Sequence, residues 1–181
     1  MMDAMTSEPG NIALSEQELR EVAGYAAKCA QAALAIFESE RPGDTRPRDA
    51  IDAANAFARG GRRTGALRDN AWAALEASRE TTTEAAREAA RAASHAAAAA
   101  YLHPKASSHQ VKHILGAAAH AARAAELLSG DDRDVGAEHV ERARRHATSI
   151  VVFVLDRFPA APRGGGRVGE LLRELDGRLR G

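Results

Sequence analysis

The chain has 181 residues, enough for one domain with a single buried core. Lys plus Arg and Asp plus Glu number 25 each, so the formal net charge is zero, which excludes a general nucleic-acid binder with its basic excess. The lone Cys29 excludes an internal disulfide, no secretory signal opens the sequence, and no apolar run approaches the ~20 residues needed to span a bilayer. The expectation is a soluble cytoplasmic protein.

Alanine makes up roughly a quarter of the residues, and aromatics only 4%. Alanine is the strongest helix former, and a β-fold would want the opposite composition. The predicted class is all-α, a single-domain bundle of six or seven closely packed helices. Residues 1–14 lack periodicity and are expected to be disordered. Ser15 with Glu18 reads as a capping box, and Leu19, Val22, Ala26, Ala30, Ala33 and Phe37 carry a first helix to about Ser39.

Pro42 and Gly43 break it. Asp44 or Thr45 can cap a second helix with Pro47 in its first turn, ending at Gly60-Gly61. A third spans about Thr64 to Ser78. Thr81-Thr82-Thr83-Glu84 starts a fourth, alanine-rich helix that Pro104 ends. Ser107 or Ser108 opens a fifth, closed by Gly130. A sixth runs from Asp134 to Phe158, including the apolar run Ile150–Leu155. Residues 15–160 form the domain; 161–181 form a Gly-rich link and a short amphipathic helix whose leucines could seal the core or a homodimer interface.

The fifth helix sorts its residues into two stripes. Val111, Ile114, Leu115, Ala118, Ala122, Ala125 and Leu128 recur on one side; His109, Lys112, His113, Gly116, His120 and Arg123 recur on the other. Polar stripes usually face water, but this one is nearly free of acids and rich in imidazole, which changes charge near neutral pH and ligates metals. His109 and His113 lie four apart, yet a zinc site needs a third ligand and a supporting carboxylate that the pattern lacks. No metal or cofactor is therefore expected. His95, within an alanine run, is the kind of position a hydrogen-bonded core histidine takes.

Asp44-Thr45-Arg46-Pro47-Arg48-Asp49 sets two guanidiniums at a helix start, where free N–H groups favour an anion. Mutual pairing of these acids and arginines is the alternative. Cys29 has no activating neighbour, no Gly-x-Ser-x-Gly elbow occurs, and Gly164-Gly165-Gly166 lacks the Lys-Ser/Thr of a phosphate loop.

The Cys29–Glu38 segment, the Arg41–Ile51 segment with its acidic-Arg-Pro-Arg core, and His103-Pro104 with Gln110–Gly116 resemble the Imm5-like family of bacterial immunity proteins. The resemblance covers about residues 15–160. It implies an all-α fold and neutralisation of a toxin-like partner by protein–protein contact. It places Asp44, Arg46, Arg48, Asp49, Gln110 and Lys112 as binding residues, with His103 and His113 in the second motif. The competing expectation is a small bundle enzyme, encoded in a biosynthetic cluster. There His95, His103 and His113 would do acid–base chemistry in a pocket where Arg46 and Arg48 hold a small anionic ligand. No nucleic-acid or membrane partner is expected.

Overall fold

The structure, a computed structural model, describes residues 10–181. The segment 1–9, most of the stretch expected to be disordered, lies outside the described residues. Eight α-helices account for the described fold: α1 Glu16–Glu40, α2 Arg46–Ala58, α3 Gly65–Arg79, α4 Glu84–Ala98, α5 Val111–Leu128, α6 Arg133–His146, α7 Ser149–Asp156 and α8 Gly166–Arg180. No described helix is long and apolar enough to cross a membrane. The all-α expectation holds; the count exceeds six or seven because the sixth predicted helix is two. Thr148 adopts an extended conformation and its hydroxyl accepts the Val151 N–H, so the chain stops α6 and caps α7 afresh.

Local chemistry sets the other ends. Ser15 and Glu18 form the full reciprocal capping box of α1, with distances of 3.1 Å and 2.8 Å. Glu40, the last residue of α1, reaches across to the start of α4. Its carboxylate accepts the backbone N–H of Thr82 (3.0 Å) and Thr83 (2.8 Å) and both threonine hydroxyls. Burial alone would raise its pKa, but these hydrogen bonds outweigh burial and bring it down to about 2.

At the opposite end the chain from Gly10 is held rather than frayed. Ile12 donates to the Pro104 carbonyl (2.9 Å) and Ala106 to that of Gly10 (2.8 Å), so the entry to α1 pins the loop between α4 and α5.

α4 and α5 lie side by side at the centre, α1 packs across both, α3 flanks α4, and α8 flanks α5 and α6. The buried faces of α1, α4 and α5 are largely alanine, including Ala26, Ala30, Ala86, Ala89, Ala93, Ala118 and Ala122, which lets helix axes approach closely. Bulk comes from Phe37, Phe57, Ile114, Leu115, Leu155 and Leu171. α8 buries Leu171, Leu172 and Leu175, so the leucine-rich tail seals this core. It also covers the Gly116–Arg123 part of the polar stripe of α5, while His109 and Lys112 stay exposed.

Candidate functional site

Glu88, Arg91 and His95 follow each other at helical steps along one face of α4, and Lys112, Gly116 and His120 do the same on α5. Between these rows lies a cavity of about 320 Å³, roofed by α8 and its lead-in through Pro162, Gly164, Gly165, Val168, Gly169 and Leu172. The His95 and His120 rings stack with centroids 4.8 Å apart. Gly116 makes this possible: a Cβ there would stand 2.5 Å from His95 Nδ1. That nitrogen is buried and has no hydrogen-bond partner. Burial first, then the neighbouring His120 and His113, press the His95 pKa down to about 3, so its ring is neutral across the physiological range.

Behind His120 sits Glu88. Its carboxylate meets His120 Nδ1 at 2.5 Å and accepts from Arg91 at 2.9 Å. Burial raises the Glu88 pKa, but the contacts with His120 and Arg91 lower it by more, so it stays ionised. Lys112 is exposed at the cavity rim and makes no ion pair with any described residue.

The predicted site residues therefore separate. His95 and Lys112 line the cavity. His103 and His113 do not: His103 is exposed, and His113 is half-buried, its Nδ1 without a partner and its pKa lowered by burial and by His103. Gln110 is consumed locally, its side-chain oxygen accepting the His103 N–H at 3.0 Å.

The arginine turn is elsewhere. Arg46 forks onto Asp44 (2.9 and 2.6 Å) and onto Glu80 (3.2 and 2.8 Å), while Arg48 forks onto Glu38 at 2.8 Å twice. Asp49 accepts the Thr45 hydroxyl at 2.9 Å. These hydrogen bonds lower the Asp44 pKa and raise that of Arg46. The turn clamps the α1–α2 connection to the end of α3. It lies beside the N-terminus of α4, about 17 Å along the helix from His95 at ~1.5 Å per residue. The expected single pocket of His95, His103, His113, Arg46 and Arg48 is not assembled, because each arginine found a carboxylate at its own end of the bundle. Among the described residues no three His, Cys, Asp or Glu side chains converge as a metal site.

Sequence reasoning missed one surface altogether. Trp72, the single tryptophan, is 61% exposed on the outer face of α3. Arg79 lies over its ring at 5.6 Å. Nearby, Tyr101 donates to the Thr64 carbonyl at 2.6 Å and carries Arg68 and Arg63 over its ring at 4.3 and 5.4 Å. Arg59, Arg62, Arg63 and Arg68 are all exposed and make no ion pair among the described residues. The signal was available: Trp72 falls off the Leu67–Ala74 stripe that α3 buries.

Residues 13–149 match the family described as Imm-5 like putative immunity protein, most of the chain, and the protein belongs to that family. No curated protein and no solved structure gives a significant match.

Proposed function

From that membership we propose that the protein neutralises a toxin by direct contact, and that the face formed by Trp72, Tyr101, Arg63 and Arg68 meets the partner. The observation that carries the reading is the exposed tryptophan among guanidiniums. Trp, Tyr and Arg are the residues that dominate binding energy at interfaces, and here they sit together at the surface around α3. The surplus of unpaired arginine at Arg59, Arg62, Arg63 and Arg68 fits an acidic surface on that partner, which would speed association and set partner choice. The Arg46–Arg48 turn enters as scaffold, since its charges are already spent on Asp44, Glu80 and Glu38.

The test is co-purification with the product of the adjacent gene, followed by titration of Trp72→Ala and Arg68→Glu. Each is expected to weaken the complex by roughly 30-fold or more, the scale of a lost interface anchor, while the thermal melt is unchanged because both side chains are exposed. Binding undiminished in both variants would remove this face from the interface.

A further inference from the structure

We infer that the cavity between α4, α5 and α8 is a binding site for a small organic anion, a phosphate or carboxylate carried on a compact planar or apolar body. Every ionisable side chain that lines it is basic or imidazole: Arg91, His95, Lys112 and His120. Glu88, the carboxylate bonded to His120 and Arg91, does not itself line the cavity. Lys112 at the rim and Arg163 in the roofing loop have no carboxylate partner among the described residues, although most arginines in this chain do. A cation left unpaired beside a cavity is ready to receive negative charge from outside.

The roof suits the same ligand. Gly164 and Gly165, with φ of +84° and +77°, line the cavity with backbone and no side chain. Arg173 holds this loop in place by donating to the carbonyls of Pro162 (3.0 Å) and Gly164 (2.7 Å). Gly165, the residue before α8, offers no side chain to satisfy the helix's first N–H groups. The stacked His95 and His120 rings below, with Val168, Leu172 and Pro162 in the roof, give the cavity a largely apolar lining. At about 320 Å³ the space is at the small end of ligand pockets, fit for a single ring bearing one anionic group.

This site shares no residue with the α3 face, so it stands or falls separately from the partner-binding proposal. The probes are phenyl phosphate, benzoate and neutral benzyl alcohol, titrated into the full-length protein with histidine side-chain and backbone amide NMR shifts as readout. Saturable shifts at His95, His120 and Gly164–Val168 are expected with an anion and not with the alcohol, and the tighter anion assigns phosphate or carboxylate. Lys112→Gln should weaken the tighter anion about tenfold, the scale of one charged hydrogen bond, and Val168→Phe, which fills the space, should abolish it. Absence of saturable binding by either anion would overturn the inference, as would equal affinity in Lys112→Gln and the parent.

Discussion

Gly136→Ala sets two physical rules against each other. Gly136 lies in the first half of α6, where replacing glycine by alanine ordinarily stabilises a helix by about 1 kcal/mol. In this fold the new methyl would overlap Glu126 Oε1 and stand 2.5 Å from its Cδ and 2.6 Å from its Cγ. Glu126 cannot yield: it is fully buried, Arg167 straddles both its oxygens at 3.1 Å, and Arg123 donates to it at 2.8 Å. Pulling a buried carboxylate off its partners costs about 3–5 kcal/mol, so the net loss should be about 2–4 kcal/mol, a large share of the 5–15 kcal/mol typical of a domain.

Glu126→Ala alone should cost about 3 kcal/mol, the low end of that range, because Arg123 and Arg167 keep Asp131 and Glu170. In that background the methyl added at position 136 fits the vacated space, and Gly136→Ala becomes neutral or mildly stabilising. The double-mutant cycle should therefore show a coupling of about 3 kcal/mol, read from urea unfolding of the four proteins by circular dichroism. Gly136→Ala as stable as the parent, or equally costly with and without Glu126, would refute the reasoning.

Two further outcomes follow from individual ionisable groups. Glu40 has its pKa brought from an ordinary 4.5 down to about 2 by the Thr82 and Thr83 hydrogen bonds against opposing burial. Its contribution is complete above pH 4.5 and is lost as pH falls toward 2. Glu40→Gln should thus lower stability by about 1 kcal/mol at pH 6 after solvent screening, with melting curves of variant and parent converging near pH 2; a gap that persists in acid would contradict the capping role. Cys29 has its thiol pushed up to about 12 by burial. Ellman's reagent at pH 8 should therefore label it only at the rate of unfolding, and rapid labelling of the native protein would show the thiol to be accessible.

Helix boundaries were legible wherever a side chain of the chain's own neighbourhood made the cap. Ser15 with Glu18, Thr83 accepting from Ala86 and Gly130 at φ +76° acted where the sequence placed them, whereas Ser107 caps the short 3-10 turn Ser108–Gln110 ahead of α5, whose own N-cap, Gln110, makes no side-chain capping bond. Thr148 is the same kind of signal, yet the helical flanks of Ile150–Leu155 concealed it. The arginine turn was half legible. Local pairing of Arg46 with Asp44 could be read from two-residue spacing, but its bond to Glu80, 34 residues on, could not.

The stripe on α5 shows most clearly what sequence can and cannot say. Its pattern was correct: Lys112, Gly116, His120 and Arg123 do share one side. Its environment was not readable, because the helix that covers it begins only at Gly166. A polar stripe can be roofed only if its charges are met, and most are: Arg123 by Glu126 and Asp131, His120 by Glu88. Gly116 carries no side chain because His95 occupies the space. Lys112 alone is left without a counter-charge, at the mouth of the cavity that this covering creates. The third wall of that cavity lies beyond residue 149, where the family match ends, while Trp72 and its arginines lie within it. The face proposed to meet a partner thus lies within the matched residues, and the cavity depends on the segment beyond them.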